Sequence, residues 1–490
     1  MSLYLGIDLG TTKIALLVYD PEVNAIRTGI SFPHKALRVN GPYQEIDPEK
    51  IARMVLNAMQ RLPHRREIKA IGISTQMHGC LLVDERNRPL SPLITWQDER
   101  CLQPHPVGSH GNYLERIRET VGGNAFRDTG TDICSGFLGP TVFWLSEQKQ
   151  LPRKSRVCFL GDYLAALLTG APVSPDITNA GSSGFYDIRN KKWLGKVITT
   201  LGIPPEVFPE VGEPGSVLGT LTPGQSALTG LPGGVQVLRA FGDNQASALG
   251  AAGDLARTLL VTIGTGSAVS LKTDAYVRRS GLDTRYFLNG SYILVGAALC
   301  GGRALADFVQ FLTEAGRFTT RKPSFRHAET NRLLKNYTPP ASGMVCGPFF
   351  AGTRAEPGKT GFLMGIREDN FHVREVIASV MEGMIFELYG FAGQFGRTDY
   401  AGITGCGNAM RKNPYLGRVT AHLFNTPVRI TRFKEEAALG ACFLAVRASE
   451  KSFNMQEALA GGYEKMYSPS PVSTAVYRQL YARYKACANG

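Results

Sequence analysis

Close to its start the chain runs apolar through Leu5-Gly6-Ile7-Asp8-Leu9, breaks at Gly10-Thr11-Thr12, and runs apolar again from Ile14 to Tyr19. This pattern predicts a strand, a tight turn and a second strand. A third strand is expected over Ile26 to Phe32. A helix follows, with Asp47 as its N-cap, Pro48 in its first turn, and Ile51, Met54, Val55, Ala58 and Met59 on one apolar face. Ala70-Ile71-Gly72-Ile73-Ser74 then reads as a buried strand.

The opening device recurs near the midpoint, where Leu259 to Ile263 runs into Gly264-Thr265-Gly266-Ser267 and out through Ala268 to Leu271. A strand beginning at Tyr292 and a helix marked by Leu305, Phe308, Val309 and Leu312 come next. Helical patterns at about 373 to 395 and 435 to 448 enclose strands expected around Ile403 and Val428 to Ile430, and residues 470 to 490 read as a final helix. The repetition predicts two homologous lobes, 1–246 and 247–490. The interval 97 to 240 is less regular and richer in Pro and Gly, as suits substrate-binding insertions.

The two turns carry the first candidate chemistry. Gly6 and Gly10 would let backbone approach an anion, and Thr11, Thr12 and the turn amides would donate to phosphate. Asp8 would repel that phosphate unless a divalent cation lay between them, for which Mg2+ fits best. A plain hairpin whose Asp and Thr satisfy their own turn accounts for the same residues.

The strand expected over Val235 to Phe241 ends in Gly242-Asp243-Asn244-Gln245-Ala246-Ser247. Asp243 there is either a helix N-cap or a carboxylate placed to accept a proton from a hydroxyl. Gln76-Met77-His78-Gly79 and Thr95-Trp96-Gln97-Asp98-Glu99-Arg100 could grip a polyol, by an indole face against its C–H side and hydrogen bonds to its hydroxyls; they could equally be polar loops around a core Trp. His78 lacks the spaced partners of a metal site. Gly405-Cys406-Gly407-Asn408 would let an adenine lie against backbone, with Asn413 at its edge, or else forms a tight packing turn.

Two motifs are decoys. Gly352 to Thr360 ends like a Walker A loop, but five residues separate its glycines rather than four, so it reads as a surface loop. Gly264-x-Gly266 has Val269 where a dinucleotide fingerprint needs its third glycine.

Composition narrows the classes. At 490 residues the chain exceeds one ordinary core. The net charge of +13 is spread out, and its densest groups, Arg65-Arg66, Arg278-Arg279 and Arg321-Lys322, are short and not interleaved with aromatics, which argues against nucleic acid. Nine scattered cysteines without Cys-x-x-Cys suit reduced thiols in the cytoplasm. The early first strand leaves no room for a signal peptide. The apolar stretch Tyr292 to Leu312 is too broken by Gly301-Gly302, Arg303 and Asp307 to span a membrane.

In order and over nearly the whole chain, these segments resemble the FGGY family of carbohydrate kinases, of the actin, Hsp70 and hexokinase-like superfamily. The resemblance implies an α/β fold of two ribonuclease H-like lobes around a central ATP cleft. Three strands, a helix and a further strand at the start of the chain suit that order. Gly6 to Thr12 is similar to the family's first phosphate motif, and the nucleotide contacts it implies are Gly10, Thr11, Thr12 and Lys13. Gly264, Thr265 and Gly266 are similar to the second motif, with Gly301 and Gly302 beside it. Gly405, Cys406, Gly407, Asn408 and Asn413 resemble the adenosine motif. Asp243 stands at the position of the catalytic base, and Glu435 to Ala441 match the closing helix.

Implied further are Mg2+ at Asp8 and a sugar pocket of Gln76, Met77, His78, Trp96, Asp98, Asp243 and Asn244. Within the family, Thr95 to Cys101, Glu213 to Val217 and Gly242 to Ser247 look closer to sedoheptulokinases than to xylulokinases. Sedoheptulose is therefore the expected substrate, with a pentulose as the alternative and a monomer or homodimer as the expected state. The departures are Thr353 before Arg354, where the family carries Glu, and Arg411-Lys412 before Asn413. An Hsp70-like protein-binding switch also opens on Gly-Ile-Asp-Leu-Gly-Thr-Thr, but would need a peptide-binding domain beyond the adenosine motif.

Overall fold

In the computed structural model, residues 2–107, 111–253, 255, 257–318, 327–340, 343–353, 356, 358–397 and 400–489 are described. Arg321, Lys322 and Arg354 lie outside them. Two seven-stranded sheets organise the molecule. In the first, the order is Val217–Thr220, Gln236–Leu238, Ile68–Thr75, Leu3–Leu9, Lys13–Asp20, Ala25–Pro33, with Phe241–Gly242 also on Ile68–Thr75. In the second it is Asp283–Tyr286, Tyr292–Ala298, Ser267–Thr273, Thr258–Ile263, Gly402–Cys406, Val428–Thr431, Tyr463–Tyr467.

The internal repeat appears as matched topology. Each sheet opens with an antiparallel hairpin and a third antiparallel strand, and each first strand then pairs in parallel with a later one: Leu3–Leu9 with Ile68–Thr75, and Thr258–Ile263 with Gly402–Cys406. The helix announced by Asp47 forms over Pro48–Gln60, and the Asp47 carboxylate accepts from the Lys50 amide at 3.0 Å. Its buried Ile51, Val55 and Met59 cover the outer face of the first sheet.

Between the sheets lie two helices, Asp243–Ala252 and the closing helix Glu436–Ser449. They share a core with Tyr4, Leu17 and Tyr19 of one sheet and Leu260, Ile293 and Val295 of the other. The expected single strand over Val235 to Phe241 is instead two pieces. Arg239 turns to the Ser174 and Ser216 hydroxyls and the Ala240 carbonyl accepts from Asn179, so pairing resumes only at Phe241.

Gly6 also departs from expectation. A Cβ there would lie 2.0 Å from the Ala438 carbonyl oxygen and 2.6 Å from Cys442 Sγ. Its missing side chain makes room for the closing helix, not for an anion, because the residue lies mid-strand rather than in the turn.

The final helix, Pro471–Asn489, buries Tyr477, Leu480 and Tyr484 in the core of the second sheet. Val373–Gly393 is long and apolar enough by composition to cross a bilayer, yet 72% of its most apolar stretch is buried inside the protein as a core helix. The region between the two lobe repeats carries its own apolar cluster around Tyr113, Phe143, Trp144 and Phe185.

Candidate active site

Strand register creates the first element of the site. Parallel pairing sets Asp8 opposite Ser74, and the Ser74 hydroxyl donates to Asp8 Oδ1 at 2.8 Å. The next strand positions carry the chain into Gln76, whose amide donates to the Leu9 carbonyl at 2.9 Å. Thr11 then links two sequence clusters: its hydroxyl donates to Gln76 Oε1 at 3.3 Å and accepts from Trp96 Nε1 at 2.9 Å. The indole remains 45% exposed, so a face is left for a ligand. Buried Gln76 Nε2 has no partner among the described residues.

Asp243 is the first residue of the helix Asp243–Ala252 and is fed by the Phe241–Gly242 strand. That strand end is clamped by the segment Ile177–Gly181: the Gly242 amide donates to Thr178 Oγ1 at 2.9 Å, and Thr178 donates in turn to Asp176 Oδ1. Burial pushes the Asp243 carboxyl up to about 6, while Arg285 and the helix-start amides pull the other way. Asp243 keeps part of its surface open, which tempers the cost of burial. Asp8 is pushed up to about 7, first by burial and then by the charge of Asp243, so the two carboxylates share one field. Glu435 adds to it, while Lys13 opposes it.

The turn Gly264-Thr265-Gly266 is closed against the start of the helix Gly302–Arg317. The Gly301 and Arg303 amides donate to the Thr265 carbonyl at 3.0 and 3.1 Å, and the Gly302 amide to the Gly264 carbonyl at 2.8 Å. A Cβ on Gly301 would stand 2.4 Å from the Gly266 oxygen. Gly407, at φ +86°, lies against the backbone of Ile263 and brings Gly405, Cys406 and Asn408 beside this turn; the Cys406 thiol meets the Thr262 hydroxyl at 3.0 Å. Thr12 and Thr265 are exposed at the two turn tips.

Three expected contacts are engaged otherwise. Both Asp98 oxygens accept from protein donors, the Gln44 and Arg100 amides and the Arg100 guanidinium, at 2.7 to 3.0 Å. Sealed at 1% exposure, Asp98 braces the loop behind Trp96 rather than facing a sugar. Lys13 pairs with Glu435 at 2.5 Å, tying the opening hairpin to the closing helix. Asn413 is buried with its amide turned back onto the Ala409 carbonyl at 2.8 Å. Its Oδ1, like that of Asn244, has no partner among the described residues.

Met77 is buried and His78 half-buried. The latter adopts φ +73°, stacks on Phe137 at 4.1 Å, and its Nδ1 meets the Ser182 carbonyl at 2.8 Å. Arg285 reaches Met77 from the second sheet and no local sequence pattern marks it, whereas Ser74 follows from the parallel register of its strand with that of Asp8.

Comparison with known proteins decides the family. The sequence pattern of the FGGY family of carbohydrate kinases, N-terminal domain, matches residues 3–250, and that of the C-terminal domain matches residues 259–449. The chain belongs to the FGGY family. The chain is similar to a xylulose kinase of Staphylococcus xylosus, 25% identical over 99% of both chains. The sedoheptulokinase of Mus musculus is 25% identical over 90% of this chain and 97% of that protein. A solved xylulose kinase from Rhodospirillum rubrum superposes with a TM-score of 0.87 over 99% of this chain and 98% of that one, at 23% identity, which establishes the two-lobe fold. As an FGGY kinase the protein is an ATP-dependent phosphotransferase acting on a carbohydrate hydroxyl.

Proposed function

We propose that this FGGY kinase phosphorylates the terminal hydroxyl of a ketose. The observation that carries the reading is Asp243, held at a helix start within the field of Asp8 and beside Met77 and Arg285. Asp243 accepts the proton of the attacking hydroxyl as its oxygen approaches the γ-phosphorus in line. Gln76, Met77, His78, Trp96 and Asn244 shape the sugar pocket. Gly10, Thr11, Thr12, Gly264, Thr265 and Gly266 receive phosphates, and Gly301, Gly302 and the Gly405 to Asn408 turn receive the nucleoside. Lys13 reaches phosphate on exchanging its Glu435 partner. The lobes divide at 246/247, within the helix Asp243–Ala252 that lies between the two sheets.

Mg2+ fits the Asp8 side of the site. An Mg2+ ion held together with substrate needs only one protein carboxylate, its other positions being taken by phosphates and water, and Asp8, with Asp243 in its field, supplies that carboxylate. The carboxylates there raise one another's affinity for positive charge. Bound there, Mg2+ would neutralise charge on the phosphoryl oxygens. Asp8→Asn is expected to raise the Mg2+ concentration for half-maximal activity about tenfold or more, on the scale of a disturbed ligand shell. An unchanged Mg2+ titration would remove Asp8 from that role.

The names of the relatives favour a pentulose such as xylulose as first substrate. A seven-carbon ketose stays second, favoured by the Thr95 to Cys101 and Gly242 to Ser247 segments and the mouse relative. ADP release over a panel of ketoses, polyols and no sugar tests this. The expected result is strong stimulation by one ketose and slow hydrolysis without sugar, because lobe closure excludes water. Sugar-independent hydrolysis of equal rate would instead favour a nucleotide switch.

A further inference from the structure

Arg285 occupies a place that the catalytic reading leaves unexplained. With Met77, His78, Thr131, Thr178, Ser182 and Thr284 it lines a narrow pocket next to the strand end that leads into the Asp243 helix. Its side chain is 10% exposed. Nη2 donates to Asp283 Oδ2 at 2.9 Å, Nη1 lies 4.0 Å from Met77 Sδ, and buried Nε has no partner among the described residues.

The strand carrying it is anchored to the other lobe. The Thr284 amide donates to the Gly130 carbonyl at 2.7 Å, and Gly130, at φ +80°, packs so closely that a Cβ would sit 1.9 Å from the Thr284 oxygen. Tyr286 adds a hydrogen bond to Glu213 at 3.1 Å. Arg285 is thus a fixed element of the pocket.

A guanidinium has donors and no acceptor, and a buried donor without a partner is costly, so this chamber calls for ligand oxygens. Charge decides which kind. Asp283 balances Arg285, while Asp243 and Asp8 share the neighbouring field, so the surroundings are already negative before any ligand arrives. A carboxylate would add to that negative charge, whereas a carbonyl or hydroxyl oxygen satisfies the donors without adding any.

We propose that Arg285, balanced by Asp283, is the specificity residue that holds the carbonyl end of an uncharged ketose, away from the reacting hydroxyl, and disfavours sugar acids there. This rests on the ketose-kinase reading.

The test compares kcat and KM of the parent, Arg285→Gln, Arg285→Lys and Asp283→Asn on the best ketose, the polyol lacking its carbonyl, and the aldonate of equal length. Arg285→Gln is expected to lower kcat/KM for the ketose by about 10- to 100-fold, mostly through KM, with a smaller loss on the polyol. Arg285→Lys, which keeps charge but not the fork, should fall between. Asp283→Asn should raise the aldonate-to-ketose ratio of kcat/KM. A ketose KM within twofold of the parent in both Arg285 variants overturns the proposal, as does an unchanged ratio in Asp283→Asn or a parent that prefers the aldonate. A parent that prefers an uncharged sugar other than a ketose removes the ketose reading alone, and Arg285 is then judged by the same KM comparison on that sugar.

Discussion

Asp243→Asn is expected to lower kcat by about 10²- to 10⁴-fold with little change in the KM for sugar, the range a positioned general base supplies. The amide keeps the size of the side chain and its place at the helix start but cannot take a proton. ADP release in the presence of the best sugar reads the effect. An Asn variant within threefold of the parent would show that positioning alone carries the reaction.

The same residue sets a pH dependence. With its carboxyl at about 6, the parent should lose kcat as pH falls below about 6, and the variant's residual rate should lack that limb. Stability runs in the opposite sense. Asp8, at about 7, and Asp243 both lie above the ordinary 3.8, so the folded state holds more protons between about pH 4 and 7. Their contribution to stability therefore falls as pH rises through that window. A cation bound at Asp8 would offset this at neutral pH.

The largest effect on stability is expected at the crossing of the two middle helices. A Cβ on Gly440 would lie 2.0 Å from the Ala246 carbonyl oxygen, and one on Gly250 would lie 1.9 Å from that of Glu436. The obstacle is backbone in each case, so neither neighbour can rotate away. Gly440→Ala should destabilise by about 3 kcal/mol, the upper end of overpacking, and lower the thermal midpoint by several degrees. Gly224→Ala is the control, since a Cβ there meets nothing within 4 Å. Equal midpoints for the two variants would mean that the crossing relaxes freely. The crossing carries function too, because the Gly440 helix packs against the one that begins at Asp243.

Much of this architecture was legible in residue order. Hydrophobic period located both hairpins, the capped helix at Asp47, the long helices at 373 and 435, and the repeat that makes two lobes. These are local properties, set by turn chemistry and by which side chains share a face. Small residues were harder to assign. Gly6 and Gly10 look alike in a sequence, yet Gly6 admits the backbone of a helix some 430 positions away along the chain.

Polar residues divide in the same way. Asp8, Asp243 and the Gly-Thr turns stood out because their neighbours were strand ends and helix starts, where backbone donors gather. Whether a given carboxylate stays available depends on its partners, near and far along the chain. Asp98 is taken up by Arg100 and the Gln44 amide, and Lys13 by Glu435. By itself the sequence determined the lobes, the turns and the identity of the acidic residues at their mouths. Only the tertiary structure decided which of those groups are already paired, and brought Arg285 beside Met77, because a side chain's free donors and acceptors depend on partners that folding delivers, some of them, like Glu435 for Lys13, from the far end of the chain.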